Sequence, residues 1–167
     1  VAGKLSTRAD ATKHQGDFGR IVQGVNDTLD AVIGPLNVAA DYVDRIAKGA
    51  IPAKITDTYN GDFNTLKNNL NTAIDAVNGL VADAVMLAQA AVDGRLATRA
   101  DASKHQGDYR RIVDGVNSTL DAVIAPINEV KRVMVALSGG DLTQKITDDY
   151  AGDFQVLQNA VNDSMDK

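Results

Sequence analysis

The sequence contains an internal repeat, and this repeat limits the fold more than any other feature. A Gly-Asp-aromatic triplet occurs four times, at residues 16–18, 61–63, 107–109 and 152–154, with spacings of 45, 46 and 45 residues. Residues 3–37 and 94–128 also match at 26 of 35 positions without a gap. The chain therefore alternates two kinds of unit, and each unit must bury its apolar face against neighbours.

Apolar residues follow each triplet in steps of three and four, which is typical of one helix face. The pattern does not stop at the end of a unit, so we expect continuous helices such as Asp17–Lys48, roughly 48 Å long at about 1.5 Å per residue. One narrow apolar stripe cannot stabilise such a helix alone, which predicts a parallel partner helix. The predicted seam consists of Phe18, Val25, Leu29, Leu36, Val43, Ile46, Phe63, Leu66, Leu70, Ile74, Val77, Tyr109, Ile112, Val116, Leu120, Val123, Ile127, Val130, Met134 and Leu137.

Each predicted helix ends at a glycine, and a polar connector of about a dozen residues follows it. Glycine suits the left-handed position that stops a helix, and Gly49, Gly94 and Gly140 occupy these places. Each connector carries two apolar anchors four residues apart. The pairs are Leu5 with Ala9, Ile51 with Ile55, Leu96 with Ala100, and Leu142 with Ile146. The connectors are too short and polar for helices of their own, so we expect extended chain between two parallel helices.

The layout of helix, anchored connector and helix resembles the HAMP domain. The proline that opens the first HAMP helix corresponds to Pro35 and Pro126, and the connector start to Gly49-Ala50-Ile51 and Gly140-Asp141-Leu142. The acidic-aromatic start of the second helix corresponds to Asp17-Phe18-Gly19 and Asp62-Phe63. The resemblance implies an all-α parallel coiled-coil homodimer of stacked four-helix bundles, with extended connectors and long continuous helices between modules.

The expected modules are a partial HAMP domain at residues 1–34 and HAMP domains at 35–79, 80–125 and 126–167. The third departs from the family, since Asn78-Gly79-Leu80 lacks the proline. Its continued seam is also poor in side-chain volume, with Val81, Ala84, Ala88 and Ala91, and a rotated seam would use Val81, Val85, Ala88 and Val92. We expect this module to be the loosest. Pro35 and Pro126 are interpreted equally well as hinges or as tolerated kinks.

Composition narrows the range of partners. The net charge is −5 and no basic run occurs, which argues against nucleic acid. No cysteine is present, and His14 and His105 are separated by 91 residues, so we expect no metal or cofactor and a surface or packing role for both histidines. The sequence predicts no transmembrane helix, and the resemblance implies a cytoplasmic segment of a soluble or membrane-anchored parent. The start at Val1, without methionine, indicates a segment of a longer chain.

Three classes of function are compatible with a repeated helical chain to different degrees. The resemblance favours a non-catalytic relay that passes conformational signals between sensory and output domains of the same bacterial chain. The parent would be a methyl-accepting chemotaxis protein or a histidine kinase of a two-component system. A rigid dimeric coiled-coil spacer or scaffold fits the same repeat. A ligand-binding bundle or enzyme needs convergent polar groups in a cavity, and the seam is almost wholly apolar, so no catalytic residue or small-molecule ligand is expected.

Overall fold

The computed structural model describes residues 3–166; residues 1–2 and 167, the outer ends of the first and last predicted modules, lie outside the described residues. Its four α-helices are α1 (Gly16–Ala47), α2 (Gly61–Val92), α3 (Gly107–Ser138) and α4 (Asp153–Met165). Two three-residue 3-10 helices, Ala11–Lys13 and Ala102–Lys104, complete the secondary structure, and residues 3–166 contain no strand. The predicted all-α fold is confirmed.

The helix bounds follow the repeat closely. The predicted segment Asp17–Lys48 is observed as α1, and α1, α2 and α3 each contain 32 residues. At the end of α2, Gly94 has φ 72°, its N–H donates to the Ala91 carbonyl and the Arg95 N–H donates to the Ala90 carbonyl. This left-handed cap satisfies carbonyls that the last turn would leave unpaired. The same pair of bonds recurs at Gly49 and Gly140.

α1 and α3 continue through their internal prolines. Pro35 lies within α1 and Pro126 within α3, as the unbroken apolar pattern predicts. Pro126 is buried and Pro35 is half-buried, so both rings take part in packing. A proline inside a helix removes one backbone hydrogen bond, and this packing helps to offset that loss.

The helix α2 is unusually apolar. It contains an eighteen-residue window with mean hydropathy 1.3, so by length and composition alone it could cross a membrane. Only 11% of that window is buried within the chain. The expectation that no segment reaches this length and hydropathy is therefore not confirmed.

The chain divides into two compact units, residues 1–78 and 79–167. For the description of the site, the segments before and between the helices are called the first connector (3–15), second connector (48–60), third connector (93–106) and fourth connector (139–152). The first and second connectors belong to the first unit, and the third and fourth to the second unit.

Each core of the second unit is built from a helix, a connector and the next helix. In one cluster Leu87 of α2 and Val113 of α3 enclose Ala100 of the third connector. In the other, Val133 of α3 packs with Ile146 of the fourth connector and with two residues of α4, Val161 and Met165. In the first unit the most buried apolar residues are Ile74 of α2, 1% exposed, and Ile55 of the second connector, 6% exposed. The second, third and fourth connectors therefore each contribute a buried residue to the packing between helices.

Candidate functional site

A side-chain amide clamps each connector to the helix that follows it. The amide oxygen of Asn71 in α2 accepts from the backbone N–H of Ile55 at 2.8 Å, and its Nδ2 donates to the Ile55 carbonyl at 3.0 Å. The same two bonds join Asn26 to Ala9, Asn117 to Ala100 and Asn162 to Ile146. The clamped residue is the second apolar anchor in every case. An extended segment has no backbone ladder of its own, so the asparagine supplies the partners that its buried peptide needs.

A salt bridge lies beside each clamp. The residue before each clamped anchor is basic, and it pairs with an aspartate four residues after the asparagine. The pairs are Arg8 with Asp30, Lys54 with Asp75, Arg99 with Asp121, and Lys145 with Asp166. The carboxylates of these pairs are largely exposed, so each pair stabilises the fold by less than about 1 kcal/mol. Their main effect is to fix where along the helix the connector lies.

The first and third connectors are held mainly by polar groups. The guanidinium of Arg99 also donates to the carbonyls of Leu96 and Thr98 at 2.8 and 2.7 Å. Downstream, the Ser103 hydroxyl and backbone N–H donate to Asp101 and keep the pKa of that carboxyl below its ordinary value. This contact begins the 3-10 helix Ala102–Lys104. The first connector repeats the turn with Asp10 and Thr12. The expected wholly extended chain is therefore wrong at these two turns, because a short side chain can cap a turn that apolar periodicity does not reveal.

The second and fourth connectors have larger apolar residues at the clamped position, and a different side-chain hydrogen bond joins them to the following helix. Ile55 and Ile146 replace the alanines at the clamped position. Beyond the clamp, Lys67 donates to the Asp57 carbonyl at 3.2 Å, and Gln158 donates to the Asp148 carbonyl at 2.8 Å. The alternation of two unit types in the sequence therefore corresponds to two ways of fastening the connector.

The predicted anchors are not equally covered within one chain. The second anchors Ile55, Ala100 and Ile146 are buried, at 6, 5 and 3% exposure. Ile51 is half-buried. The first anchors of the other connectors remain open, namely Leu5, Leu96 and Leu142. Within one chain the clamped anchors of the second, third and fourth connectors are therefore covered, whereas Ala9 and three of the first anchors are exposed.

The two histidines occupy different surroundings. His14 in the first connector is exposed. His105 in the third connector is 8% exposed, and its Nε2 lies 2.6 Å from a carboxylate oxygen of Asp83 in α2. The helix provides room for the ring at Gly79, where an added Cβ would lie 3.4 Å from the His105 Cε1 atom.

The predicted seam lies largely on the open side of the helices in the single chain. Phe18 is 74% exposed and Val25 is 52% exposed. The exposed seam residues are Phe18, Val25, Leu29, Leu36, Val43, Tyr109, Ile112, Val116, Val123, Ile127 and Met134. The half-buried ones are Ile46, Phe63, Leu66, Leu70, Val77, Leu120, Val130 and Leu137, and Ile74 is buried. Along α1, α3 and the second half of α2 the apolar surface therefore has two stripes, one facing the connectors and one exposed, whereas the seam residues in the first half of α2 are half-buried or buried.

The second half of α2 also has two faces. Leu87 and Ala90 are buried at 9 and 2% exposure, and neither belongs to a predicted seam. Both alternative seams of this segment are exposed, that is Val81, Ala84, Ala88 and Ala91, and Val81, Val85, Ala88 and Val92. The face towards the third connector is therefore settled, and the choice between the two seams stays a prediction.

The arrangement consists mainly of apolar packing surfaces and of polar side chains that hydrogen-bond to the backbone or to each other. Within residues 3–166 no three histidine or acidic side chains approach closely enough to hold a metal ion. Every fully buried side-chain nitrogen or oxygen in this part of the chain has a hydrogen-bond partner. Some of the polar side chains, such as Asn71 and Arg132, fasten connectors to helices.

The clamp predicts a measurable loss of stability. Asn71→Ala leaves the N–H and carbonyl of Ile55 without partners, so we expect the free energy of unfolding in urea to fall by about 1–3 kcal/mol. Asn68→Ala is the matched control, because Asn68 is exposed on the same helix and makes no side-chain hydrogen bond among the described residues. Equal stability of the two variants would contradict the clamp.

Comparison with known proteins identifies a matching family and a relative. The sequence model of the HAMP domain family matches residues 13–79 and 104–167. The chain is also 36% identical over 78 residues to the methyl-accepting chemotaxis protein McpB of Pseudomonas aeruginosa. That match covers 47% of this chain and 12% of the relative, so the chain spans only a small part of the relative's length. The matched ranges include the whole second and fourth connectors but only the ends of the first and third.

Proposed function

The chain belongs to the HAMP domain family, and from that premise we propose that it is a non-catalytic relay that passes conformational signals between input and output domains of one protein. The observation that carries the proposal is the pair of apolar stripes along α1, α3 and the second half of α2. One stripe holds the connectors, and the other is left for a partner. A device of this kind needs two packings of similar energy that an input can bias.

The partner that fits the open stripe is a second copy of the chain. The apolar residues of the stripe are spaced by three and four, as in helices that pack against each other. The stripe also continues from one predicted module into the next. A parallel copy brings identical seam residues to the same level, and a two-fold interface of this kind is self-complementary. The proposed assembly is therefore a parallel homodimer in which two helices from each chain form a four-helix bundle.

The proposed modules have the boundaries expected from the repeat, 1–34, 35–79, 80–125 and 126–167. Each full module contains the second half of one helix, a connector and the first half of the next. Pro35 and Pro126 stand at the start of two modules, which keeps the hinge interpretation open beside that of a tolerated kink.

We propose that the segment lies on the cytoplasmic side of its parent protein, where HAMP domains act. Its proposed partners are adjacent sensory and output domains of the same chain, in a chemotaxis receptor or a sensor kinase. The apolar helix α2 is assigned to the bundle rather than to a membrane. Two of its polar side chains support this assignment, since Asn71 clamps the second connector and Asp83 binds His105.

The assembly is tested by mass and by crosslinking. We expect light scattering of the whole chain to give twice the 17.6 kDa of one chain. Val25→Cys should form a disulfide across the dimer, and Asp27→Cys, exposed two residues further along, should not. A monomer at micromolar concentration, or equal crosslinking at both positions, would overturn the proposal.

A relay and a rigid spacer differ in their response to a local change of packing. Ala84→Leu with Ala88→Leu enlarges the seam of α2, so a relay should change the rate of disulfide formation at Ile112→Cys in α3 by about five-fold or more, roughly 1 kcal/mol. Ala82→Leu is the control, because Ala82 is exposed and outside both seams. An unchanged rate at Ile112→Cys in a folded dimer would favour the spacer.

A further inference from the structure

One position in each connector lies two residues before the glycine at the start of the next helix. The residues there are His14, Tyr59, His105 and Tyr150. A group fixed at this point is separated by a single residue from the glycine at the start of the following helix. A direct bond from this position to the preceding helix would therefore connect the incoming helix to the outgoing one.

The third connector has such a bond. The His105 ring is buried, with 6% of its side chain exposed, and the Asp83 side chain is 21% exposed. An ionised carboxylate can only accept, so the Nε2 of His105 carries the hydrogen that it donates to Asp83 over 2.6 Å. A hydrogen bond to a charged, largely desolvated acceptor is short and directional. A Cβ at Gly79 would lie 3.4 Å from the Cε1 atom of the ring, so the glycine lets the ring lie close to the backbone of α2.

The corresponding positions elsewhere are built differently. Eleven residues before the helix-ending glycine, where the third module has Asp83, the second has Val38 and the fourth has Glu129. Glu129 accepts from Arg132 of its own helix. Among residues 3–166, the His105–Asp83 bond is the one side-chain hydrogen bond that joins a preceding helix to this connector position.

We propose that Asp83 and His105 form a coupling pair that transmits movement of α2 to the start of α3. The inference rests on the proposed relay and names the positioning residues through which the third module performs it. The second half of α2 has alternative seams, so a rotation that exchanges them carries Asp83 around the helix axis. His105 follows Asp83 through their hydrogen bond, and α3, which begins two residues later, follows His105.

The test of the coupling pair measures how strongly α3 responds to substitutions in α2, and not how stable the fold is. In the whole chain carrying Ile112→Cys, the rate of disulfide formation is measured with and without Ala84→Leu and Ala88→Leu. The ratio of the faster to the slower of these two rates measures the response. We expect this ratio to fall at least five-fold, towards one, in His105→Phe and in Asp83→Ala. Combining the two substitutions should lower it no further. Asp83→Asn keeps an oxygen that accepts from the imidazole, so it should retain most of the response.

The controls separate this inference from the relay itself. Val38→Ala and Tyr59→Phe change the same positions of the second connector and should leave the ratio unchanged. A full response in folded His105→Phe would overturn the coupling pair while the relay stands. A ratio of one in the unaltered chain would overturn the relay and the pair together. If His105→Phe loses its helical circular dichroism, the coupling pair is judged from the rate ratios of Asp83→Ala and Asp83→Asn. Equal ratios in these two variants would reject the coupling pair.

Discussion

Replacing Val133 with aspartate is expected to unfold α4 and the fourth connector. Val133 has no exposed surface, and its neighbours Ile146, Val161 and Met165 are apolar. A carboxylate at this point has no partner and must be dehydrated or protonated, so the free energy of unfolding should fall by about 4 kcal/mol or more. We expect the local amides of the fourth connector to lose their hydrogen-exchange protection together with those of α4.

The matched control for this variant is Val135→Asp. Val135 lies two residues further along α3, on the other side of the helix, and is 63% exposed. A surface substitution of this kind should change stability by less than about 0.5 kcal/mol. If Val133→Asp and Val135→Asp melt at the same temperature, Val133 does not lie in the core that joins α3 to α4.

The long helices could be predicted because their signals are local. Spacings of three and four mark a helix face, and a glycine after the last turn marks the helix end. These two rules predict the first helix at Asp17–Lys48, and the structure has it at Gly16–Ala47. The rules depend only on residues that are near in sequence, so they hold whatever the chain packs against.

The connectors were harder to predict because extended chain has no periodic signal. The clamps bind a backbone 16 or 17 residues away, and the sequence does not reveal which peptide an asparagine will reach. A signal was nevertheless present, since Asn26, Asn71, Asn117 and Asn162 repeat with the same 45, 46 and 45 spacing as the triplet. A polar residue that recurs at the same spacing as the repeat is therefore expected to make the same structural contact in each unit.

The face of each helix that meets the connector was also missed. Val113 and Val133 lie one residue away from the seam residues Ile112 and Met134, and both are nearly inaccessible. Adjacent residues on a helix point about 100° apart, so the apolar surface of α3 is broader than one seam. An interpretation with a single stripe leaves these residues unexplained, whereas two stripes assign one to the connector and the other to a partner.

The open stripe leads to the second large effect, which concerns assembly. Val116 is 41% exposed in the single chain and belongs to the seam of α3. In a parallel homodimer Val116→Asp brings two carboxylates close together in an apolar layer. We expect the dissociation constant of the dimer to rise by about 100-fold or more, equivalent to roughly 3 kcal/mol. Helical circular dichroism should fall with it, because long helices with narrow stripes are unstable alone.

Ser118→Asp separates the seam from general effects of added charge. Ser118 is exposed two residues further along the same helix, about 200° around its axis, so the added carboxylate remains in water. Sedimentation or light scattering over a range of concentrations should give this variant the dimerisation constant of the unaltered chain. If Val116→Asp also dimerises with that constant, the partner binds a surface other than this stripe. The parallel homodimer would then be wrong, because α3 would keep its apolar face uncovered in the assembled protein.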